Sequence, residues 1–383
     1  MQNELAAVIQ DDLAWGLDFL ERIVRINTFT KHREGVNEVQ SMLAEVLSDM
    51  DMDVERVLET EVGDQIIGRS SAPEEHSRIL LMGHVDTVFP PDGGFTEFSR
   101  DSDCVFGPGV LDMKGGLVVV LLALRGLARL GRLESLPLTV FFNSDEEIAS
   151  PCSRKTLARL APELRLGLVF EGDRPGNALV TRRKGIADFS IRVTGKAAHS
   201  GSRHSDGKSA IRVAAALVEK IEALTDYQEG ATANVGLIKG GSAINVVPET
   251  AVLHLEVRAE RKEKLASLRA AVQAIVDGVQ CDGVKVSCTE LLGLEPLEET
   301  PASRELFEAY RAAAASIGHT VTLLGEAAGG GSDANNLAAL GIPALDGLGV
   351  SGANLHTHQE YARIDSFVPK ACAVAAYLLT QSS

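Results

Sequence analysis

The stretch Arg78–Gly116 constrains this chain more than any other, because it joins an apolar run to a tight group of charged residues. Ile79–Gly83 (ILLMG) reads as a buried strand of a sheet covered on both faces. Such a strand releases its polar residues at its carboxyl end, into the crevice where open α/β sheets bind ligands. His84 and Asp86 stand at that end, two residues apart, so in extended chain both side chains point to one side. A carboxylate so placed can hold the second ring nitrogen of a metal-ligating imidazole. Asp112 follows on a glycine-rich loop, ahead of Leu117–Leu124, an apolar run of helical length with Lys114 at its mouth.

Three more clusters occupy comparable places. Leu138–Asn143 (LTVFFN) is an apolar strand with Glu146 and Glu147 close behind it. Leu166–Phe170 (LGLVF) is another and ends in Glu171, and far downstream His356 lies in GANLHTHQEYARID. Any one of these, taken singly, is a solvated loop charge or a satisfied histidine. Imidazoles and carboxylates gathered beside several separate apolar runs instead form a nitrogen-and-oxygen donor set suited to a pair of divalent, zinc-like ions.

At 383 residues the chain is long for a single core, so two domains are expected. A formal net charge of -16 argues against nucleic acid or an anionic membrane as partner, and an acidic substrate would need a local basic patch. Cys104, Cys152, Cys281, Cys288 and Cys372 are scattered without metal-site spacing, which predicts free thiols in a reducing compartment. The start shows no secretory pattern and no apolar stretch approaches membrane-span length, so the expectation is a cytoplasmic protein.

Turn-spaced apolar residues predict helices around Leu13–Val24, Val36–Val46, Met113–Leu130, Ser153–Leu160, Ser303–Ile317 and Phe367–Leu379. Strands are expected at Asp53–Leu58, Ile66–Gly68 and Thr320–Leu324 besides the apolar runs above. After Arg174 the pattern changes to alternation: Ala187–Gly195, Thr232–Lys239, Ala251–Ala259 and Val284–Leu292 read as strands with one exposed face. Helical runs at Lys208–Leu224 and Arg261–Val279 separate them, giving the order βαββαβ of a ferredoxin-like unit. The fold class expected is α/β: a catalytic domain (1–180 and 295–383) with a mixed, largely parallel sheet covered by helices, plus an inserted ferredoxin-like lid (181–294). The lid's alternating strands leave a sheet edge that needs cover, which predicts a homodimer formed through the lid.

The motifs H-V-D-T-V (84–88), G-x-G-x-x-D-M-K-G (107–115), D-E-E (145–147), F-E-G (170–172) and H-T-x-x-E-Y (356–361) occur in that order. Together they resemble the two-zinc metallopeptidase family of glutamate carboxypeptidases, acetylornithine and succinyl-diaminopimelate deacylases and aminoacylases, over about Leu17–Val368. The resemblance implies a zinc-peptidase catalytic domain holding two Zn2+ per subunit, with Co2+ or Mn2+ as substitutes. It implies that Asp112 bridges the metals, that His84 and Glu171 complete one site, and that Glu147 and His356 complete the other. Glu146 becomes the general base, Asp86 the partner of His84, and the Asp112–Met113 peptide cis. It selects His356 over His358, with Glu360 and Tyr361 as structural support.

The lid carries its own polar groups. From the residues alone, Asn245 (SAINVVP) caps a turn and Arg258 pairs with Glu256 or Glu260. The resemblance implies instead that they hold the substrate's free carboxylate, for which arginine's fork is suited, while His199 (GKAAHSG) polarises the scissile carbonyl. Gly325–Asn336, including Gly330 and Gly331, reads either as a flexible connector or as a second wall of that pocket, its N–H groups cradling an anion at a helix start. It lacks the Gly-Lys-Ser/Thr of a phosphate loop.

Within the family, glutamate at the Glu171 position goes with carboxypeptidases and deacylases, and INVVPETAVLHLEVR resembles the folate-cleaving glutamate carboxypeptidases. The expected reaction is hydrolysis of the amide to a C-terminal amino acid with a free carboxylate, most of all glutamate, in a small molecule or short peptide. An N-acyl-amino-acid deacylase is the alternative of the same class. A non-catalytic ligand-binding descendant would have lost Glu146 or a ligand, and none is missing. A two-metal phosphoesterase is disfavoured by Asn245 and Arg258.

Overall fold

The computed structural model describes residues 2–72 and 77–381. The chain divides into two compact units: Met1–Thr181 with Glu299–Ala327 and Ser332–Ser383, and Arg182–Glu298 with Ala328–Gly331.

The first unit is α/β. Its main sheet has six strands in the order Asp53–Val57, Gln65–Arg69, Leu138–Asn143, Arg78–His84, Leu164–Val169 and Ala344–Leu345. The first two pairings are antiparallel and the other three parallel. Arg78–His84 and Leu138–Asn143 are buried along their whole length, which is why they read as continuous apolar runs rather than alternating ones. Helix Lys114–Arg129 is apolar almost all round and is buried accordingly, packed against helices Leu13–Val24 and Phe367–Leu379. Helix Pro301–Ser316 starts where Thr300 and Ser303 form a capping box with proline in the first turn.

Two features of this unit escape periodicity. Thr322–Leu323 pairs in parallel with Ala178–Leu179 in a small sheet of their own. A second small sheet joins Gly352–Ala353, Tyr361–Arg363, Cys104–Phe106 and Ser99–Arg100. Its register sets Ala362 opposite Val105, and so carries the segment around His356 and Glu360 to the loop that bears Asp112.

The second unit has the βαββαβ order, with antiparallel strands arranged Thr232–Gly240, Thr250–Ala259, Gly185–Thr194 and Lys285–Leu294. Alternation decides its core: Ala187, Phe189, Ile191 and Val193 face inward beside Leu253, Leu255 and Val257. Leu217 and Ile221 of helix Ala210–Glu222, with Leu268 and Val272 of helix Lys262–Asp277, cover that face. Against the expected 181–294, the unit begins at Arg182 and reaches on to Glu298, for a physical reason. Arg183 and Leu297 exchange backbone hydrogen bonds of 2.9 and 3.1 Å, tying the returning chain to the departing one. Ala328 likewise bonds to Arg182 and Lys184, both at 2.9 Å, which draws Ala328–Gly331 out of the first unit and into this one.

All five cysteines are free thiols. No helix of the described residues is long and apolar enough to cross a membrane.

Candidate metal centre

The strand Arg78–His84 lies between two parallel neighbours, Leu138–Asn143 and Leu164–Val169, reached by crossovers in opposite directions. Their carboxyl ends therefore open onto one crevice at a topological switch point. His84 closes the first strand, Glu146 and Glu147 follow the second in a single helical turn, and Glu171 follows the third. Helix Lys114–Arg129 can approach the third because Gly116 has no side chain: a Cβ there would lie 2.0 Å from the Phe170 carbonyl oxygen.

Asp112 sits between the two imidazoles. Its Oδ1 is 3.1 Å from His84 Nε2 and its Oδ2 is 3.1 Å from His356 Nε2. Glu171 Oε1 stands 3.6 Å from His84 Nε2, and Glu147 Oε2 stands 3.5 Å from His356 Nε2. Glu146 Oε2 is farther off, 3.9 Å from His84 Nε2. His84 with Glu146 and Glu171, and His84 with Asp112 and Glu147, each converge closely enough to surround one ion. The Asp112–Met113 peptide is cis.

Buried carboxylates behind these residues hold the loops in place. Asp86 was expected to face His84, and it does so mainly through its backbone. His84 Nδ1–H donates to the Asp86 carbonyl oxygen at 2.9 Å, with the carboxylate at 3.4 Å, which leaves Nε2 as the free ligand atom. The Asp86 carboxylate instead accepts the N–H groups of Glu146 and Glu147, at 3.2 and 3.3 Å, and the Thr30 hydroxyl at 2.7 Å. Glu360 accepts three N–H groups around the bridging residue: Gly109 at 3.2 Å, Leu111 at 2.8 Å and Asp112 at 3.0 Å. Lys114 turns away from the crevice, donating to the carbonyls of Ile23 and Ile26.

Asp333 and Asp145 support the loop of Glu146 and Glu147 in ways the sequence does not announce. Asp333 is buried and accepts from Asn143 and Ser150, both at 2.7 Å, so it braces both ends of the loop that carries Glu146 and Glu147. Asp145 accepts the N–H groups of Cys152 and Ser153 and the Ser153 hydroxyl. In the sequence, Asp333 looks like an ordinary helix-start residue in S-D-A-N-N, and nothing local links it to a position 190 residues away.

The electrostatics call for positive charge. Burial, reinforced by the neighbouring Glu171 and Glu147, pushes the Glu146 carboxyl well up, beyond what nearby His84 offsets. Burial and the Asp112 charge raise Glu147 as well, against its bond to His356. Burial also pushes Asp112 up, but its bonds to His356 and His84 outweigh that and hold it well below the carboxylate range. Bonds to Asp112 and Glu147 raise His356 to about 10. The cluster therefore offsets its own negative charge with protons, on the imidazoles and on the raised carboxyls. Glu147 Oε1 is buried with no hydrogen-bond partner among the described residues. An orphaned carboxylate oxygen, two imidazole nitrogens and a shared aspartate fit divalent zinc-like ions, which would replace those protons.

The other residues singled out from the sequence lie in the second unit. The structure brings His199 and Asn245 together there: Ala198–His199 pairs with Val246–Val247, and Ser200 N–H donates to the Asn245 carbonyl at 3.0 Å. His199 Nδ1 accepts from the N–H groups of Gly201 and Ser202 at 3.1 and 3.2 Å, so the proton of the neutral ring sits on Nε2, a donor on an exposed side chain. Arg258 is engaged. Its Nε and Nη2 hold Glu256 at 2.6 and 2.7 Å, and Nη1 holds the Gly329 carbonyl at 2.6 Å.

At Gly330 and Gly331, read from the sequence either as a connector or as a wall cradling an anion, the contacts of the backbone run through its carbonyl oxygens. Their carbonyl oxygens accept from Arg183 Nη1 at 3.0 and 3.2 Å. The helix that follows is only seven residues long and is capped by its own Ser332, which accepts from Ala334 N–H.

Residues 80–381 match the sequence profile of Peptidase family M20/M25/M40, and the chain belongs to this family. Carboxypeptidase G2 of Pseudomonas sp. (strain RS-16) is 28% identical over 386 residues, covering 98% of this chain and 91% of its own. A Mycobacterium tuberculosis protein assigned as succinyl-diaminopimelate desuccinylase DapE is 30% identical over 297 residues, covering 74% of this chain and 77% of its own. Among solved structures, aminopeptidase PepT from Bacillus cereus shares the fold with a TM-score of 0.80 at 23% identity, covering 97% of this chain and 99% of its own. The chain is thus a hydrolase of a peptidase family, with a cluster of imidazoles and carboxylates at the crevice of its sheet that could hold metal ions.

The clamp on the Asp112 loop gives a direct test. Glu360→Gln puts an NH2 group where an acceptor is needed and weakens the hold on the loop. Divalent-metal affinity is expected to fall about ten- to hundredfold, the usual cost of losing an outer partner of a ligand. Competition with a fluorescent chelator measures it, and an unchanged affinity would remove Glu360 from this role.

Proposed function

We propose that this chain hydrolyses the amide bond to a C-terminal amino acid that retains a free carboxylate, glutamate most of all, using two zinc ions per chain. The observation that carries this reading is the Asp112 carboxylate shared between His84 and His356, with Glu171 and Glu147 beside the respective imidazoles. The likeness to carboxypeptidase G2 along nearly the whole chain supports the carboxypeptidase direction. Bound ions of this kind polarise a substrate carbonyl and lower the pKa of a water toward neutrality.

The chain's own groups do the rest. Glu146 takes the proton of the attacking water and returns it to the departing amine. Of the three acids within 4 Å of His84 Nε2, its carboxylate stands farthest off. Asp86 holds the N–H groups of Glu146 and Glu147 together, so base and ligand keep a fixed spacing. His199 Nε2–H donates to the carbonyl oxygen as negative charge develops there. Arg258 and Asn245 take the substrate's carboxylate, which exchanges with Glu256 on the guanidinium fork.

The desuccinylase likeness favours a second reading, deacylation of N-acyl amino acids. The two separate on a panel of benzoyl-, pteroyl- and acetyl-glutamate with N-succinyl and N-acetyl diamino acids. Preference for the aryl glutamates supports the first reading, and preference for the acylated diamino acids overturns it.

The protein is proposed to be a cytoplasmic homodimer with no nucleic-acid or membrane partner, in keeping with its free thiols and net charge of -16. Strand Thr232–Gly240 is an edge of the second unit's sheet and exposes Leu237 (56%) and Ile238 (50%), a surface suited to pairing with a second copy. Sedimentation at micromolar concentration is expected to show a dimer, and a monomer would count against pairing through this edge.

Two substitutions test the assigned roles. Glu146→Gln is expected to bind metal as wild type does while losing turnover by roughly a hundredfold or more, since positioned acid–base groups contribute on that order. Substantial residual hydrolysis would remove the base from this position. Arg258→Ala is expected to raise KM about tenfold or more with a smaller change in kcat. An unchanged KM would leave Arg258 as the partner of Glu256 and Gly329.

A further inference from the structure

The two imidazoles of the metal centre are held very differently. His84 is wholly buried at the end of a strand, with its ring fixed by the Asp86 carbonyl. The His356 side chain is 54% exposed, and its backbone is in the left-handed region at φ 59°. It rides on a loop, Asn354–Glu360, whose hydrogen bonds largely close on the loop itself. Thr357 Oγ1 donates to the Asn354 carbonyl at 2.8 Å, Gln359 N–H to Thr357 Oγ1 at 3.2 Å, and Asn354 Nδ2 to the Gln359 carbonyl at 3.1 Å. Such bonds shape the loop without fixing where it stands.

What fixes it must reach outside. Glu360 anchors the far end to the Asp112 loop. Leu355, just before the imidazole, packs against the main core. On the other side the contact comes from His358. Its ring stacks on Phe95 with centroids 5.0 Å apart and planes at 13°, and Phe95 meets Phe89 edge-on at 4.9 Å. Phe89 is buried, and its carbonyl oxygen accepts from Asn27 Nδ2 at 3.0 Å, so the stack rests on a fixed base. Phe89 also lies just beyond His84 and Asp86 in sequence, which ties the two ligand-bearing segments together.

We infer that His358 is a positioning residue for His356: by stacking on Phe95 it pins the exposed loop and keeps the His356 ring directed at Asp112 and Glu147. In this role it acts through packing rather than charge. A near-parallel stacked aromatic pair at this spacing is a specific, directional contact, beyond the area it buries. The inference rests on the reading of His356 as a metal ligand.

The test is metal release rather than activity. Wild-type protein loaded with two equivalents of zinc is mixed with excess chelator, and the release of each equivalent is followed. His358→Ala is expected to speed loss of one equivalent about tenfold, in the range found for outer partners of metal ligands, and to leave the other unchanged. His358→Phe, which keeps a flat aromatic ring, is expected to restore the slow release. Phe95→Ala is expected to match His358→Ala, with the double variant no worse than either single one.

Wild-type release rates in His358→Ala, failure of phenylalanine to rescue, equal acceleration of both equivalents, or additive losses in the double variant would each overturn the inference while leaving the metal centre intact. Wild-type protein that takes up no divalent ion would overturn the metal reading itself, and this inference with it.

Discussion

The architecture turns on the cost of gathering carboxylates in one buried place. Asp86, Asp112, Asp145, Glu146, Glu147, Glu171, Asp333 and Glu360 all lie at or just behind the crevice. Two unit charges about 4 Å apart repel by roughly 4 kcal/mol at the effective dielectric of a protein. A hydrogen bond to a charged group returns only about 1.5–3 kcal/mol. The outer four are each held by two or more hydrogen bonds, from backbone N–H groups for Asp86, Glu360 and Asp145 and from side-chain amide and hydroxyl groups for Asp333. The inner four have mainly His84 and His356 to compensate them, so the balance there needs cations. The outer acids stiffen the loops, and the inner ones form the candidate metal centre.

Much of this was legible in the chain because the sheet is buried. Continuous apolar runs marked its three inner strands, and the charged residues at their ends were the crevice. His356 was separable from His358 only by the motif around it, since two histidines two residues apart look alike to spacing. The lid was legible for the opposite reason: a sheet with one covered face alternates, and its alternation appeared directly at Ala187–Val193 and Ala251–Val257.

What escaped the sequence was long-range or short. The sheet that carries His356 to the Asp112 loop is built from strands of two and three residues, too brief for any period to show. Asp333 and Thr30 act on partners 190 and 56 residues away, and neither belongs to a pattern. Arg258 had two readings, and in the structure its fork holds Glu256, the partner that lies two residues away in the same strand. The glycine-rich loop left two readings open because glycine frees a backbone without saying which of its groups will be used. Here carbonyl oxygens meet Arg183 and Arg258, and serine caps the helix.

The central claim is that Asp112 is shared between two cation sites built on His84 and His356. Calorimetric titration of metal-stripped protein with zinc tests it most directly. The account predicts two equivalents bound per chain, with proton release as the imidazoles give way to metal, and no more than one equivalent after Asp112→Asn. A single equivalent in the wild-type chain, or two retained after Asp112→Asn, would contradict it.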